Sequence, residues 1–176
     1  MDLENLKYPI GRYQVEDKID KASIDKFIQE IDLLHERLSD AVRGLTLRQL
    51  QTPYRPDGWT IQQVVHHIAD SHMNAYVRFK LALTEDKPIV KPYDEKLWAE
   101  LPDAKLVDIN VSIAFIESLH KRWVTLLRQL KIKDFDKEFL HPELGMKNLK
   151  ENLCLYAWHC NHHLAHITSL KQRLNW

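Results

Sequence analysis

The chain has 176 residues, with 25 Lys and Arg balanced by 25 Asp and Glu, and ten histidines. Its formal charge is zero with neutral imidazoles and +10 with all of them protonated, so histidine sets the charge state between about pH 5 and 8. A hydrophobic fraction of 44% with 28% charged residues excludes wholesale disorder, and the zero balance excludes a dominant nucleic-acid footprint.

The length suits one domain spanning residues 1–176, large enough to bury roughly two-thirds of its unfolded surface. The opening stretch MDLENLKYPIGRY lacks the basic-then-apolar form of a signal peptide, and no stretch approaches the ~18 uninterrupted apolar residues of a membrane helix. Cys154 and Cys160 do not make a disulfide framework. A cytoplasmic location without membrane attachment is the expectation.

Glycine occurs only at 11, 44, 58 and 145, too sparsely for a phosphate-cradling loop. Four long helical patterns follow in chain order. The first runs from about Ser23 to Arg43, with Ile24, Phe27, Ile28, Ile31, Leu34, Leu38 and Val42 on one stripe and Gly44 as its stop. The second runs from about Ile61 to Leu83, opened by an Asp57-Gly58 turn and a Thr60/Gln63 capping box. Its stripe is Ile61, Val64, Val65, Ile68, Ala75, Phe79 and Leu83.

Residues 86–108 form a long connection, with a short helix expected near 94–100. The third long helix runs from about Val111 to Leu130, with Asn110 as a candidate cap and Phe115, Ile116, Leu119, Trp123, Leu126, Leu127 and Leu130 facing inward. The fourth runs from about Leu149 to Leu174, with Asn148 and Glu151 as its capping box. No sustained period-two alternation occurs, and Leu140 to Lys147 reads as turn or loop. The fold class is therefore all-α: a four-helix bundle with a long connection between helices 2 and 3.

Seven of the ten histidines fall on two of these helices: His66, His67 and His72 on the second, and His159, His162, His163 and His166 on the fourth. Neutral imidazole suits zinc, nickel and similar ions. Two histidines at i and i+4 lie one above the other and can share an ion. On the fourth helix the apolar stripe centres near Cys160 and Ile167. A wheel at about 100° per residue puts His163 about 50° and His159 about 90° from that centre, with His166 near 110° and His162 near 150°. The inward pair is thus His159 and His163, and His162 is expected to face solvent. On the second helix, periodicity alone selects His72 over His67.

The motifs GWTIQQVVHHIADSHMN, NAYVRFKLALTE, KPYDEKLW and YAWHCNHHLAHIT, with LKYPIGRY near the start, resemble the YfiT group of the DinB-like bundle superfamily over nearly the whole chain. The resemblance implies a four-helix bundle holding one divalent metal ion per subunit, zinc or nickel, on three histidines. Those are the second histidine of VVHH and both ends of the HxxxH on the last helix, here His67, His159 and His163. It agrees with the wheel on the fourth helix and replaces His72 by His67 on the second, leaving His72 as a further candidate. It also implies a homodimer.

Other signals carry less. Glu117 and His120 form a lone ExxH, whereas di-iron bundles need two, so this reads as surface. HExxH is absent, and the two cysteines do not match CxxC. Cys160 reads as a small buried hydrophobe, Trp59 as a candidate pocket wall, and Asp70 and Arg78 as exposed. His66, His162 and His166 read as solvated or supporting, and His35, His120 and His141 as needing no special account. No catalytic residue is assigned.

Three imidazoles leave a coordination position open for water or substrate. Three functions are compatible with such a site. One is metal-dependent hydrolysis of a small molecule with water activated at the metal, the activity the resemblance implies. Another is transfer of a low-molecular-weight thiol of the bacillithiol type to an electrophile. The third is metal binding without turnover, with His72 or His166 as a fourth ligand.

Overall fold

A computed structural model describes residues 2–16 and 18–176. Helix α1 (Leu3–Lys7) leads into α2 (Lys21–Asp32), α3 (Leu34–Val42) and the single turn α4 (Leu47–Leu50). The long α5 (Ile61–Thr84) is followed by two short helices, α6 (Glu95–Trp98) and α7 (Pro102–Leu106), then α8 (Ile109–Gln129). A 3-10 turn (Ile132–Asp136) and a hairpin of β1 (Glu138–His141) and β2 (Gly145–Asn148) precede α9 (Leu149–Leu174). The bundle consists of α2–α3 as one rod, with α5, α8 and α9.

The first rod begins at Asp20, whose carboxylate accepts the Ser23 amide hydrogen at 3.0 Å. Its helical bonding is interrupted at Leu33, where a single continuous helix was expected. Leu33 keeps right-handed helical angles (φ −83°, ψ −8°), so the axis carries on. All seven residues of the expected stripe are buried. Gly44 adopts φ +75° and ends the rod, a left-handed conformation that glycine takes without a Cβ penalty.

Thr60 opens α5 with a complete capping box. Its hydroxyl accepts the Gln63 amide hydrogen at 3.1 Å, and the Gln63 side-chain oxygen accepts the Thr60 amide hydrogen at 3.0 Å. Helix α5 is buried on two faces along its first half, because the connection folds back over it. Gln62 donates to the carbonyls of Lys105 and Val107, and Gln63 donates to that of Ala99 at 2.8 Å. This second cover is why one apolar stripe undercounts the buried residues of α5. The expected short helix near 94–100 is α6, and α7 follows it.

Helix α8 is capped by Asp108, which accepts the Asn110 amide hydrogen at 2.8 Å, so the cap lies two residues before the expected Asn110. Ile116, Leu119, Trp123, Val124 and Leu127 face inward, while Phe115, placed on the inner face from sequence, is exposed. Asn148 caps α9 through the Glu151 amide.

The hairpin corrects the reading of residues 140–147 as loop: Glu138 pairs with Asn148 and His141 with Gly145 in antiparallel register. Four-residue strands are too short to display a period of two. What secures them is burial of Phe139 and a bridge to the connection, in which Leu140 exchanges backbone bonds with Pro88 and Val90 at 2.9 and 3.0 Å. No helix among the described residues is long and apolar enough to cross a membrane.

Candidate metal centre

The bundle geometry aims α5 and α9 at each other through their histidines. Nε2 of His67 lies 3.3 Å from Nε2 of His159. One ring nitrogen from each of His67, His159 and His163 falls within 4.8 Å of the others. The ring centroids are 4.3 Å apart for His159 and His163, and 4.7 Å for His67 and His163. The indole of Trp59 stacks over this group, 4.6 Å from the His67 ring, as its reading as a wall anticipates. On its outer side Trp59 lines a groove of about 420 Å³ with Tyr54, Gln63 and Glu100.

Five further histidines are buried where sequence reading placed them at the surface or gave them no role. His162 is 7% exposed rather than solvent-facing, because Tyr8 and Trp158 cover it; its ring stacks on Trp158 at 4.2 Å. His166 donates from Nε2 to the Lys7 carbonyl at 3.0 Å and stacks on Tyr54 at 3.9 Å. A wheel drawn on the bundle alone cannot see that α1 and the 44–60 segment form another layer over α9.

His66 is a pin between α5, the connection and α8: Nε2 meets the Val107 carbonyl at 3.1 Å and Nδ1 meets the Ser112 hydroxyl at 2.7 Å. His120 is buried against His72, although its ExxH partner Glu117 does stay at the surface, paired with Lys121. His141 is buried in the hairpin and accepts the Glu143 amide hydrogen at 3.3 Å. Asp70 and Arg78 are half-buried rather than exposed.

His162, His163 and His166 also bring one nitrogen each within 4.8 Å, so α9 carries two overlapping groupings that share His163. The Nδ1 atoms of all three are buried without a hydrogen-bond partner. No Asp or Glu is hydrogen-bonded to an imidazole of either grouping among the described residues. Ser71 Oγ is the nearest hydroxyl, 3.3 Å from His159 Nε2 and 3.4 Å from the Tyr156 hydroxyl.

Burial dominates the electrostatics. Desolvation, with repulsion among neighbouring imidazoles, holds His67 down to about 4 and keeps His159 and His163 well below the ordinary histidine range. At neutral pH these rings are uncharged, the state in which imidazole offers a lone pair to a cation. The Cys160 thiol is pushed up by burial, which keeps it protonated and fits its reading as a small hydrophobe. Desolvation raises Asp70 to about 6.

A divalent ion fits this donor set. Borderline-soft imidazole nitrogens match zinc and nickel. Nε2 of His67 and Nε2 of His159 face each other at 3.3 Å, His163 brings a ring nitrogen within 4.8 Å of both, and its buried Nδ1 has no hydrogen-bond partner; neutral imidazoles can turn lone pairs to a cation here.

Fold and site together define a helical bundle with an all-imidazole cluster at the junction of two helices. The chain belongs to the DinB superfamily, whose model matches residues 30–167. It is 55% identical over 174 residues to a Bacillus cereus protein that carries the provisional name metal-dependent hydrolase, covering 99% of this chain and 100% of that one. A Bacillus anthracis protein of the same provisional name is 54% identical over the same span. Among solved structures, YfiT from Bacillus subtilis, described as a probable metal-dependent hydrolase with an unusual four-helix bundle topology, superposes with a TM-score of 0.95. The two are 50% identical, and the match covers 98% of this chain and 99% of YfiT.

Proposed function

We propose that the protein is a metal-dependent hydrolase in which His67, His159 and His163 hold one divalent ion, zinc or nickel, and leave a coordination position open. The observation that carries this is the convergence of three neutral imidazoles from two helices. The other grouping serves less well, because its three histidines all come from α9 and His162 lies flat on Trp158, whereas His67 brings a donor from α5. His72 is not the fourth ligand, since its Nε2 faces His159 Nδ1 at 3.2 Å and its Nδ1 faces His120 at 2.9 Å.

When bound on three neutral ligands, such an ion acts as a Lewis acid and lowers the pKa of a coordinated water or thiol. His67, His159 and His163 orient the open position, and Trp59 walls it from the outer groove. The substrate is a small molecule, and the neutral charge balance argues against a nucleic acid. A homodimer is the expected setting, by likeness to the resembled group, and the sequence composition favours a cytoplasmic one.

Thiol transfer is the second reading. That no Asp or Glu among the described residues is hydrogen-bonded to the clustered imidazoles favours it, because a metal-coordinated thiol needs no separate general base. Steady-state assays on metal-loaded protein separate the two. Turnover of esters or amides without thiol supports hydrolysis; consumption of an electrophile only with added thiol overturns it. Elemental analysis of wild type, His67→Ala, His159→Ala and His163→Ala tests the site, and stoichiometric metal retained by all three variants overturns it.

A further inference from the structure

His159 presents Nε2 towards His67, and its other nitrogen is not idle. Nδ1 of His159 lies 3.2 Å from Nε2 of His72, and Nδ1 of His72 lies 2.9 Å from Nε2 of His120. His72 is fully buried and His120 is 1% exposed. Trp123 and Tyr156 pack edge-on against the His72 ring, with centroids at 5.9 and 5.2 Å.

A neutral imidazole carries one N–H and one lone pair, so each ring in such a row sets the tautomer of the next. The row ends at His120, whose Nδ1 is buried without a hydrogen-bond partner. Either polarity along the row satisfies the two imidazole contacts. In the polarity that suits an ion beside His67, the lone pair of His159 lies on Nε2, so His159 donates from Nδ1, His72 accepts at Nε2 and donates from Nδ1, and His120 accepts at Nε2.

We propose that His72 and His120 are positioning residues that lock His159 in the Nδ1–H tautomer and aim its Nε2 at the ion. The inference rests on the three-histidine reading above. Partners that orient a ligating histidine in this way typically contribute roughly 10- to 100-fold in metal affinity. The row makes two grades: His72 touches His159 directly, and His120 acts through His72.

The test combines zinc and nickel affinity, measured by chelator competition, with the ring nitrogen shifts of His159 in metal-free protein at pH 7. His72→Phe is expected to weaken metal binding roughly 10- to 100-fold, and His120→Phe by roughly tenfold or less. His72→Gln restores most of the affinity, because its amide accepts from His159 and donates to His120 with the same polarity. The wild type shows His159 as the Nδ1–H tautomer, and His72→Phe loses that preference. Equal metal affinity in wild type and His72→Phe overturns the proposal, as does an Nε2–H tautomer of His159 in the wild type. The tautomer needs no metal and no variant, so it decides the point even if His72→Phe fails to fold. A wild type that shows the expected tautomer but binds no ion instead defeats the three-histidine reading.

Discussion

The last helix carries two pairs of histidines at i,i+4 spacing, and the difference between them is instructive. His162, His163 and His166 are buried and His159 is half-buried, and desolvation lowers the pKa of every one. Burial and spacing therefore do not separate a site from packing. What separates the pairs is which part of the protein their nitrogens meet. His166 gives its Nε2 hydrogen to the Lys7 carbonyl and presses its face on Tyr54, so it ties the chain's start to α9. His159 uses Nδ1 on His72 and keeps Nε2 turned to a histidine of another helix. One pair is engaged with loops and the terminal segment; the other converges with α5.

The largest expected effect breaks or confirms this contrast directly. His67→Ala, His159→Ala and His163→Ala should each lose stoichiometric zinc or nickel, while His162→Ala and His166→Ala should keep it, by elemental analysis after dialysis. The reverse pattern would assign the ion to the His162/His163/His166 grouping and break the comparison.

Acid should blur the contrast, since both pairs share the same desolvation. In the folded, metal-free chain His67, His120 and His166 titrate at about 4 and His162 at about 3, against about 6.5 when unfolded. Between those values the unfolded chain binds more protons, so stability is fully present above pH ~6.5 and falls as pH drops towards ~4. At about 1.4 kcal/mol for each pH interval of one, a few such groups rival a typical domain's whole stability of roughly 5–15 kcal/mol. Denaturant melts of chelator-treated protein should show the midpoint falling steeply from pH 6.5 to 4.5. A flat profile over that range would mean the imidazoles are hydrated or paired in a way this geometry lacks. Bound metal should shift the loss to lower pH, because protons must then displace it.

A smaller effect isolates the second pair. His166→Leu removes the part-buried bond to the Lys7 carbonyl and the stack on Tyr54, at a cost of about 1 kcal/mol. Thermal melts should register that loss while metal affinity stays near wild type. A parallel drop in affinity would mean that the two pairs act as one unit.

The sequence carries the long helices and the His159/His163 pair well, and the reason is physical. Each rod buries a continuous stripe, and i,i+4 spacing survives any packing arrangement. The partners of those rods are less legible. His67 lies off the apolar stripe of α5, and what covers it is Trp59 and the histidines of α9, which a wheel drawn on α5 alone cannot show. Periodicity preferred His72, which is indeed the more buried of the two, but its nitrogens turn to His159 and His120 instead of to a shared centre. The resemblance to a known family supplied His67 where the wheel could not. His120 showed only a lone ExxH with Glu117, which reads as surface, because its partner His72 lies 48 positions away.

The mildest test concerns the start of α5, which sets the axial position of His67 relative to α9. Thr60 and Gln63 satisfy two otherwise unpaired amide hydrogens of the first turn, and Gln63 continues to the Ala99 carbonyl at 2.8 Å. Thr60→Ala should cost about 1 kcal/mol, and Thr60→Ser much less, because the hydroxyl that accepts the Gln63 amide hydrogen remains. His67 lies two turns further on, within a segment buried on both faces, so packing rather than the cap holds it in place. The stabilisation gained on adding zinc should therefore be the same in Thr60→Ala as in the wild type, even though both forms of the variant melt earlier. If that gain shrinks, the cap positions the α5 side of the cluster, and the two histidine pairs differ in how their helix ends are anchored as well as in what their nitrogens meet.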